Sequence, residues 1–478
     1  MALSSKIAFN TGIQVITKVI STLLSLAALA LITRYLGSYG FGYYTTAITF
    51  VTFFSIAADL GLTLVTTQLI SRPGANQDKI LSNLFTFRVA SAAAVLILAP
   101  LAAMFSPYSA AVREGISITS VAFFFVLLNQ IFTSLFQKEL RAEKMAYAEI
   151  ISRALMFVMT AMAALLDWGM SGILWAMASG NILSFLLHYY YSRAFVSIRL
   201  AFDKKVWLDI MHRSWPFVLT IVLNLVYLKT DTLLLSFLKS PVDVGLYGAA
   251  YKVIDVLVTI PFMLGGTVLP ILAKRWQAQE KVEYQRAWTK IFNATAMLVW
   301  PVVVGGFVLA SPIMVLVAGE NFALSGGILK ILILAVGGVF FSAFFSYTMI
   351  SFGEQRRLVG AYLFTALSSL ILYFIFIPRF SYIGAAWVTV YSEIIMCFFA
   401  WWLVRRYSKL KTNFIVFLKS FIAAVAMGLV VYYLPIETVS AFGLSLAVLV
   451  GMMAYGLALF LLKAINPKEL KELFNWRN

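Results

Sequence analysis

The chain has 478 residues, 62% hydrophobic and 12% charged, with a formal net charge of +17 and a mean hydropathy of +0.91. Soluble domains carry about 25% charged residues, so the composition excludes a soluble globular protein and assigns most of the chain to lipid. The Lys and Arg residues sit in short clusters between apolar runs, which argues against a nucleic-acid surface, and Cys397, His188 and His212 are too few for a disulfide framework or a Cys/His metal site.

Apolar stretches bounded by charges, Gly and Pro, each of about 20 residues, predict fourteen spans. They fall at 9–33, 41–70, 81–105, 113–135, 146–166, 170–192, 214–238, 245–272, 288–310, 326–351, 358–377, 382–403, 414–434 and 441–463. The N-terminal stretch lacks the uniform apolar core and small-residue cleavage site of a signal peptide, so the first span is expected to be retained. Alternation from a cytoplasmic N-terminus leaves only Arg34, Arg113, Lys239, Lys330 and Arg379 on the far side. Lys18, Arg88, Arg153, Lys229, Lys252 and Lys419 lie within spans, and the remaining 26 of the 37 basic residues are cytoplasmic. Both termini are therefore expected in the cytoplasm. The basic connections 193–213 and 273–290 are expected on the anionic inner leaflet. No connection is long enough for a soluble catalytic domain.

The chain resembles itself at an offset near two hundred residues. Gly42-Tyr43-Tyr44-Thr45-Thr46-Ala47 matches Gly245-Leu246-Tyr247-Gly248-Ala249-Ala250, and Ser171-Gly172-Ile173-Leu174-Trp175-Ala176 matches Ile383-Gly384-Ala385-Ala386-Trp387-Val388. Six spans per half is an even number, so the halves share orientation, as in parallel repeats. The expected organisation is an all-α polytopic membrane protein with an N-lobe at 1–205 and a C-lobe at 206–408. The two further spans and a cytoplasmic tail occupy 409–478. Two like-oriented lobes imply a central cavity and alternating access, hence a transporter.

Polar residues within the spans mark the candidate site, because an ionisable group in lipid is expensive unless it faces water or protein. The first span carries Asn10, Gln14, Thr17, Ser21 and Ser25 along one face, with Lys18 at its border. The second carries Thr45, Thr49, Thr52, Asp59, Thr63 and Thr66, and the seventh Thr220, Asn224 and Asp231, with Lys229 pointing elsewhere. Lys252 and Asp255 share the eighth span, Arg88 lies in the third, and Glu393 lies deep in the twelfth. Lys18, Lys229, Lys252, Arg88, Gln14 and Asn224 are the candidate substrate-binding set, since ammonium groups bind phosphate as point charges. Asp59, Asp231, Asp255 and Glu393 are alternatives as carriers of protons or sodium. The bland readings stand beside these: Lys252 with Asp255, and Glu149 with Arg153, are spaced to neutralise each other along a helix, Arg88 is placed to snorkel, and Ser/Thr stripes also serve as packing glue. No phosphate-binding loop, zinc helix or nucleophile elbow is present, so neither ATP hydrolysis nor a catalytic or metal centre is expected, and no cofactor.

Arg34-x-Leu36-Gly37-x-x-Gly40-Phe41-Gly42-x-Tyr44, followed by Asp59-Leu60-Gly61-Leu62, resembles the first hairpin of the polysaccharide transporter (oligosaccharide, O-antigen-type flippase) family. That family belongs to the multidrug/oligosaccharidyl-lipid/polysaccharide exporter superfamily. Asp231-x-x-Leu234 with Gly245-x-Tyr247-x-x-Ala250-Tyr251, and Ile377-Pro378-Arg379 with Ile383-Gly384-Ala385-Ala386, resemble its later helices, so the likeness spans about residues 8–405. The resemblance implies a V-shaped pair of six-helix lobes in the bacterial inner membrane that moves an undecaprenyl-pyrophosphate-linked oligosaccharide to the outer leaflet. Partners would be that anionic lipid-linked oligosaccharide, membrane lipids, H+ or Na+, and other polysaccharide-assembly membrane proteins. The richer arginine signature of lipid II flippases is missing from the first span. Two other readings remain open: a cation-coupled drug antiporter of the same superfamily, and a membrane-embedded polysaccharide polymerase or ligase.

Overall fold

The computed structural model describes residues 3–59, 62, 66, 69–70, 76–139, 141–408, 410, 412–434 and 438–464, with side chains throughout that set except at 3–11, 15, 213 and 215–228. Among these residues every regular element is helical. The first helix, α1 (Leu3–Asp59), has 57 residues, which as one unbroken helix would run roughly 85 Å, against about 30 Å for a hydrocarbon core. It is two spans joined at Gly37, where φ of 63° lies in the left-handed region that glycine enters without strain. The sequence leaves a connection between 33 and 41; the two helices in fact meet at this single residue.

Five helices follow: α2 (Gln77–Met104), α3 (Ala110–Lys138), α4 (Ala142–Leu165), α5 (Gly169–Ser192) and α6 (Lys204–Leu238). Next are α7 (Pro241–Gln277), α8 (Lys281–Val308), the short α9 (Ala310–Ala318) and α10 (Ser325–Ser351). The chain ends in α11 (Leu358–Ser408), α12 (Ile415–Tyr432) and α13 (Ala441–Leu461). Helix α11 repeats the device of α1, breaking at Ser381 (φ 49°) three residues after Pro378. Among the described residues eleven helices are long and apolar enough to cross a membrane. Two of these, α1 and α11, are double, and α6 brings the total to the fourteen spans expected, so the all-α polytopic fold is borne out.

The packing inverts that of a soluble protein. Phe364, Leu367, Ile371 and Phe374, on one face of α11, are all exposed, as are Met452, Met453, Leu457 and Phe460 on α13. Arg88, Asn83, His188 and Glu393 are buried. A bilayer accepts the apolar face, and the polar groups turn inward where protein can satisfy them.

Two compact units divide the chain, Met1–Gly245 and Leu246–Asn478. In the first, α1 packs on α2, α3, α4 and α6, while α5 lies against α3 and α4. Its apolar core joins Ala47, Phe50 and Val51 of α1 to Leu96 and Ala99 of α2 and Val112 and Ile116 of α3. Helix α6 is fastened to this unit by the Tyr108 hydroxyl, 2.7 Å from Ser236 Oγ, and by stacking of Tyr108 on Phe237. In the second unit α10 is the most enclosed span, packed on α8 and α11. Helices α12 and α13 dock on α8, where Trp300 meets Phe417 and Phe421 and the Tyr455 hydroxyl donates to the Met297 carbonyl at 2.8 Å.

The connection before α6 packs on protein along part of its length. Helix α6 starts at Lys204, ten residues ahead of the predicted 214, because Asp203 caps it through Lys205 N and Val206 N. Residues 197–203 run as an extended strap along α2. Their alternate amides donate to α2 side chains: Ser197 N to Asp78 Oδ1, Arg199 N to Ser82 Oγ, Ala201 N to Thr86 Oγ1 and Asp203 N to Asn83 Oδ1, at 2.7–3.1 Å. An extended chain turns every second amide to one side, and the polar row of α2 supplies the acceptors.

Candidate functional site

The deepest charge in the first unit is Arg88, fully buried on α2. Its Nη1 donates to Asp59 Oδ1 at 2.6 Å and to the Asp59 carbonyl at 3.0 Å, and Nη2 donates to Gln130 Oε1 at 2.6 Å. Three helices thus meet on one guanidinium, which satisfies the last described turn of α1 as well as the carboxylate. The sequence pattern treats Arg88 as a substrate ligand and Asp59 as an ion carrier; the structure makes them partners, so neither acts without releasing the other. Arg88 does not snorkel. Gln130 escapes sequence reasoning because nothing in its spacing on α3 announces the contact.

Along the first span Thr17 and Ser21 are buried, whereas Gln14 and Lys18 are exposed beside Ile16, Val19 and Leu23. Among the described residues no acidic group lies within ion-pair range of Lys18. On α6 Lys229 is half-buried, and Asp231, 1% exposed, accepts from Thr232 N at 2.6 Å and Thr232 Oγ1 at 3.2 Å. Asn224 lies on the same helix, but its side chain is outside the described residues, as are those of Asn10 and Thr220. Thr63, Leu60 and Gly61 also lie outside them.

In the second unit Lys252 and Asp255 are half-buried on α7, and each has interaction partners. Glu393, 6% exposed on α11, is pressed against Gly338 of α10 so closely that a Cβ on that glycine would lie 2.8 Å from the Glu393 Cβ. It is within electrostatic reach of Tyr362 and Cys397. A turn away, Thr389 Oγ1 gathers the hydroxyls of Tyr247 and Tyr373 at 3.3 and 3.2 Å. This polar seam joins α7 to both arms of α11.

Glu149 and Arg153, spaced for a helix pair, form no ion pair; instead both line a cavity among α3, α4 and α5 together with His188. Among the described residues no group of three His, Cys, Asp or Glu side chains is assembled for a metal ion.

The arrangement is that of a polytopic helical membrane protein, with charged groups held inside spans by protein partners. The sequence profile of the polysaccharide biosynthesis protein family matches residues 7–276, more than half of the chain, and the chain belongs to that family. The resemblance carried by the motifs at Arg34–Tyr44 and Gly245–Tyr251 is thereby borne out. No curated protein matches it in sequence. Solved structures share the fold. The lipid II flippase MurJ, in an inward closed conformation, superposes with a TM-score of 0.78 at 18% identity over 93% of this chain and 97% of its own. A multidrug resistance MATE family transporter of the MOP superfamily, inward-facing, gives 0.68 at 15% identity over 81% and 94%. A MOP superfamily transporter from Pyrococcus furiosus gives 0.53 at 13% identity over 86% and 96%.

Proposed function

We propose that this protein moves an anionic lipid-linked oligosaccharide, carried on undecaprenyl pyrophosphate, from the inner to the outer leaflet of the bacterial cytoplasmic membrane during surface polysaccharide assembly. The observation that carries the reading is the polysaccharide biosynthesis family match over 7–276 in a chain whose fold is shared with a lipid II flippase. In this reading residues 1–205 and 206–408 are like-oriented halves that alternate access, 409–478 is an addition to them, and both termini are cytoplasmic. Lys18 supports it: an exposed ammonium on an apolar helix is costly in hydrocarbon unless water or an anionic ligand meets it. Lys229, Lys252, Gln14 and Asn224 complete the proposed head-group contacts. Arg88 would join only by leaving Asp59. Asp231, Asp255 and Glu393, with Asp59 when it parts from Arg88, are the acids proposed to carry a coupling ion.

The drug-antiporter reading draws on the likeness to multidrug transporters, but lysines in the path repel cationic drugs, and the family match speaks for a glycan. An enzyme reading lacks a connection long enough to hold a catalytic domain. Deletion of the gene tests the proposal. Lipid-linked sugar should accumulate on the cytoplasmic face and surface glycan should fall; an unchanged surface glycan in a clean deletion would refute it.

A further inference from the structure

The cavity among α3, α4 and α5 has a volume of about 180 Å³ and lies wholly within the first unit. Beside Met145 and Met156, its walls carry polar groups from three helices: Asn129 from α3, Glu149, Ser152 and Arg153 from α4, Ser184 and His188 from α5. Space on this scale holds several waters when polar groups line it. His188 is 6% exposed and packed against the rings of Phe132 and Phe136. Its Nδ1 is 2.7 Å from the Ser184 carbonyl oxygen. A carbonyl only accepts, so Nδ1 carries the hydrogen and the basic lone pair sits on Nε2. Among the described residues Glu149 has no ion pair. Ser152 Oγ and Asn129 Oδ1 are buried without hydrogen-bond partners. Glu149 is half-buried at this wall, on the same helix as Arg153 and facing the His188 side of the cavity.

We infer that Glu149 and His188 form a proton-binding site inside the first unit, with Arg153 as its fixed counter-charge, and that this site loads and unloads a proton during the transport cycle. The inference rests on the transport reading above. Loading breaks a hydronium O–H bond and forms one at a Glu149 oxygen or at His188 Nε2. The pair is then neutral overall; without the proton it carries one negative charge, which Arg153 offsets. A proton fits the groups better than a metal cation, since hard cations seek oxygen shells and Arg153 would repel a resident ion. The groups facing the pair are few. Helix α4 supplies Glu149 and Arg153, and α5 supplies only His188. Helix α3 contributes Asn129 and Thr133, neither of which titrates, and α1, packed on α4, brings Tyr44 within electrostatic reach of Arg153. Lys144 turns away over the Tyr191 ring at 4.9 Å.

The chain has two histidines, so His212→Asn leaves His188 as its single imidazole. In purified protein labelled with nitrogen-15 histidine, the His188 ring should titrate, with Nδ1 protonated in the neutral form. Glu149→Gln should move that midpoint by on the order of one pH unit, while Glu149→Asp should leave it near wild type. A midpoint indifferent to Glu149→Gln overturns the pair. In cells, Glu149→Gln with His188→Gln should leave protein level intact and export insensitive to collapse of the proton gradient. Export that keeps its proton dependence, or follows a sodium gradient instead, overturns the role in transport. If surface glycan never depends on this protein, the transport reading fails, and the resonance titration still decides whether the two residues share a proton.

Discussion

Arg88 and Asp59 are joined at 2.6 Å, with the guanidinium fully buried and a second bond from Arg88 to the Asp59 backbone carbonyl. Removing one partner of such a pair strands the other, at about 3–5 kcal/mol, whereas replacing both with apolar groups is often neutral. Arg88→Met alone should therefore lower the thermal midpoint sharply, and Arg88→Met with Asp59→Leu should restore it. Export by the double variant then separates roles. Wild-type export means the pair is structural, and a folded but inactive double variant means the pair opens during transport.

Lys18 stands apart, exposed and without an acidic neighbour among the described residues. Lys18→Gln should leave expression and thermal midpoint unchanged. It should cut initial transport rates at limiting substrate about tenfold, the worth of one charge-assisted contact of about 1.5 kcal/mol or more. An unchanged rate would remove Lys18 from the substrate path.

Gly42 and Gly245, equivalent in the internal repeat, meet backbone to backbone. A Cβ on Gly245 would lie 3.1 Å from Gly42 N and against the Ser38 carbonyl, and one on Gly42 would collide with the Pro241 carbonyl. Gly42→Ala and Gly245→Ala should each destabilise by about 1–3 kcal/mol through overpacking, read as a lower thermal midpoint. Gly266→Ala, with open space around it, should not.

Asp203 accepts from Lys79 at 2.7 Å and from the first amides of α6, with the lysine contact as the largest cause holding its carboxyl below the usual carboxylate value. The sign follows from that depression. The contribution is whole above about pH 4, where the unfolded carboxyl ionises, and is lost as the pH falls through the lower folded value. Thermal midpoints of wild type and Asp203→Asn should differ at neutral pH and converge in acid. Equal midpoints throughout would show that the strap does not depend on this charge.

The number of spans was legible in the sequence because the length of each apolar run reports the bilayer directly. The breaks at Gly37 and Ser381 were not, since a single left-handed residue can replace a loop without changing composition. Spacing rules see only one helix at a time. They paired Glu149 with Arg153 four residues on, whereas the cavity draws in Asn129 and His188 from two other helices. They also separated Arg88 from Asp59, which tertiary packing brings together across 29 residues of sequence. The strap at 197–203 follows the polar row Asp78, Ser82, Asn83 and Thr86 on α2, which looked like ordinary polar residues at the end of a span.

Reconstitution tests the central claim most directly. Purified protein in liposomes, given a fluorescent undecaprenyl-pyrophosphate-linked sugar, would be read by an impermeant quencher. Flipping predicts that the quenchable fraction rises from the outer-leaflet share toward the whole population, and that Lys18→Gln slows the rise. A quenchable fraction that stays at the value of protein-free liposomes, with folded protein present, would contradict the account.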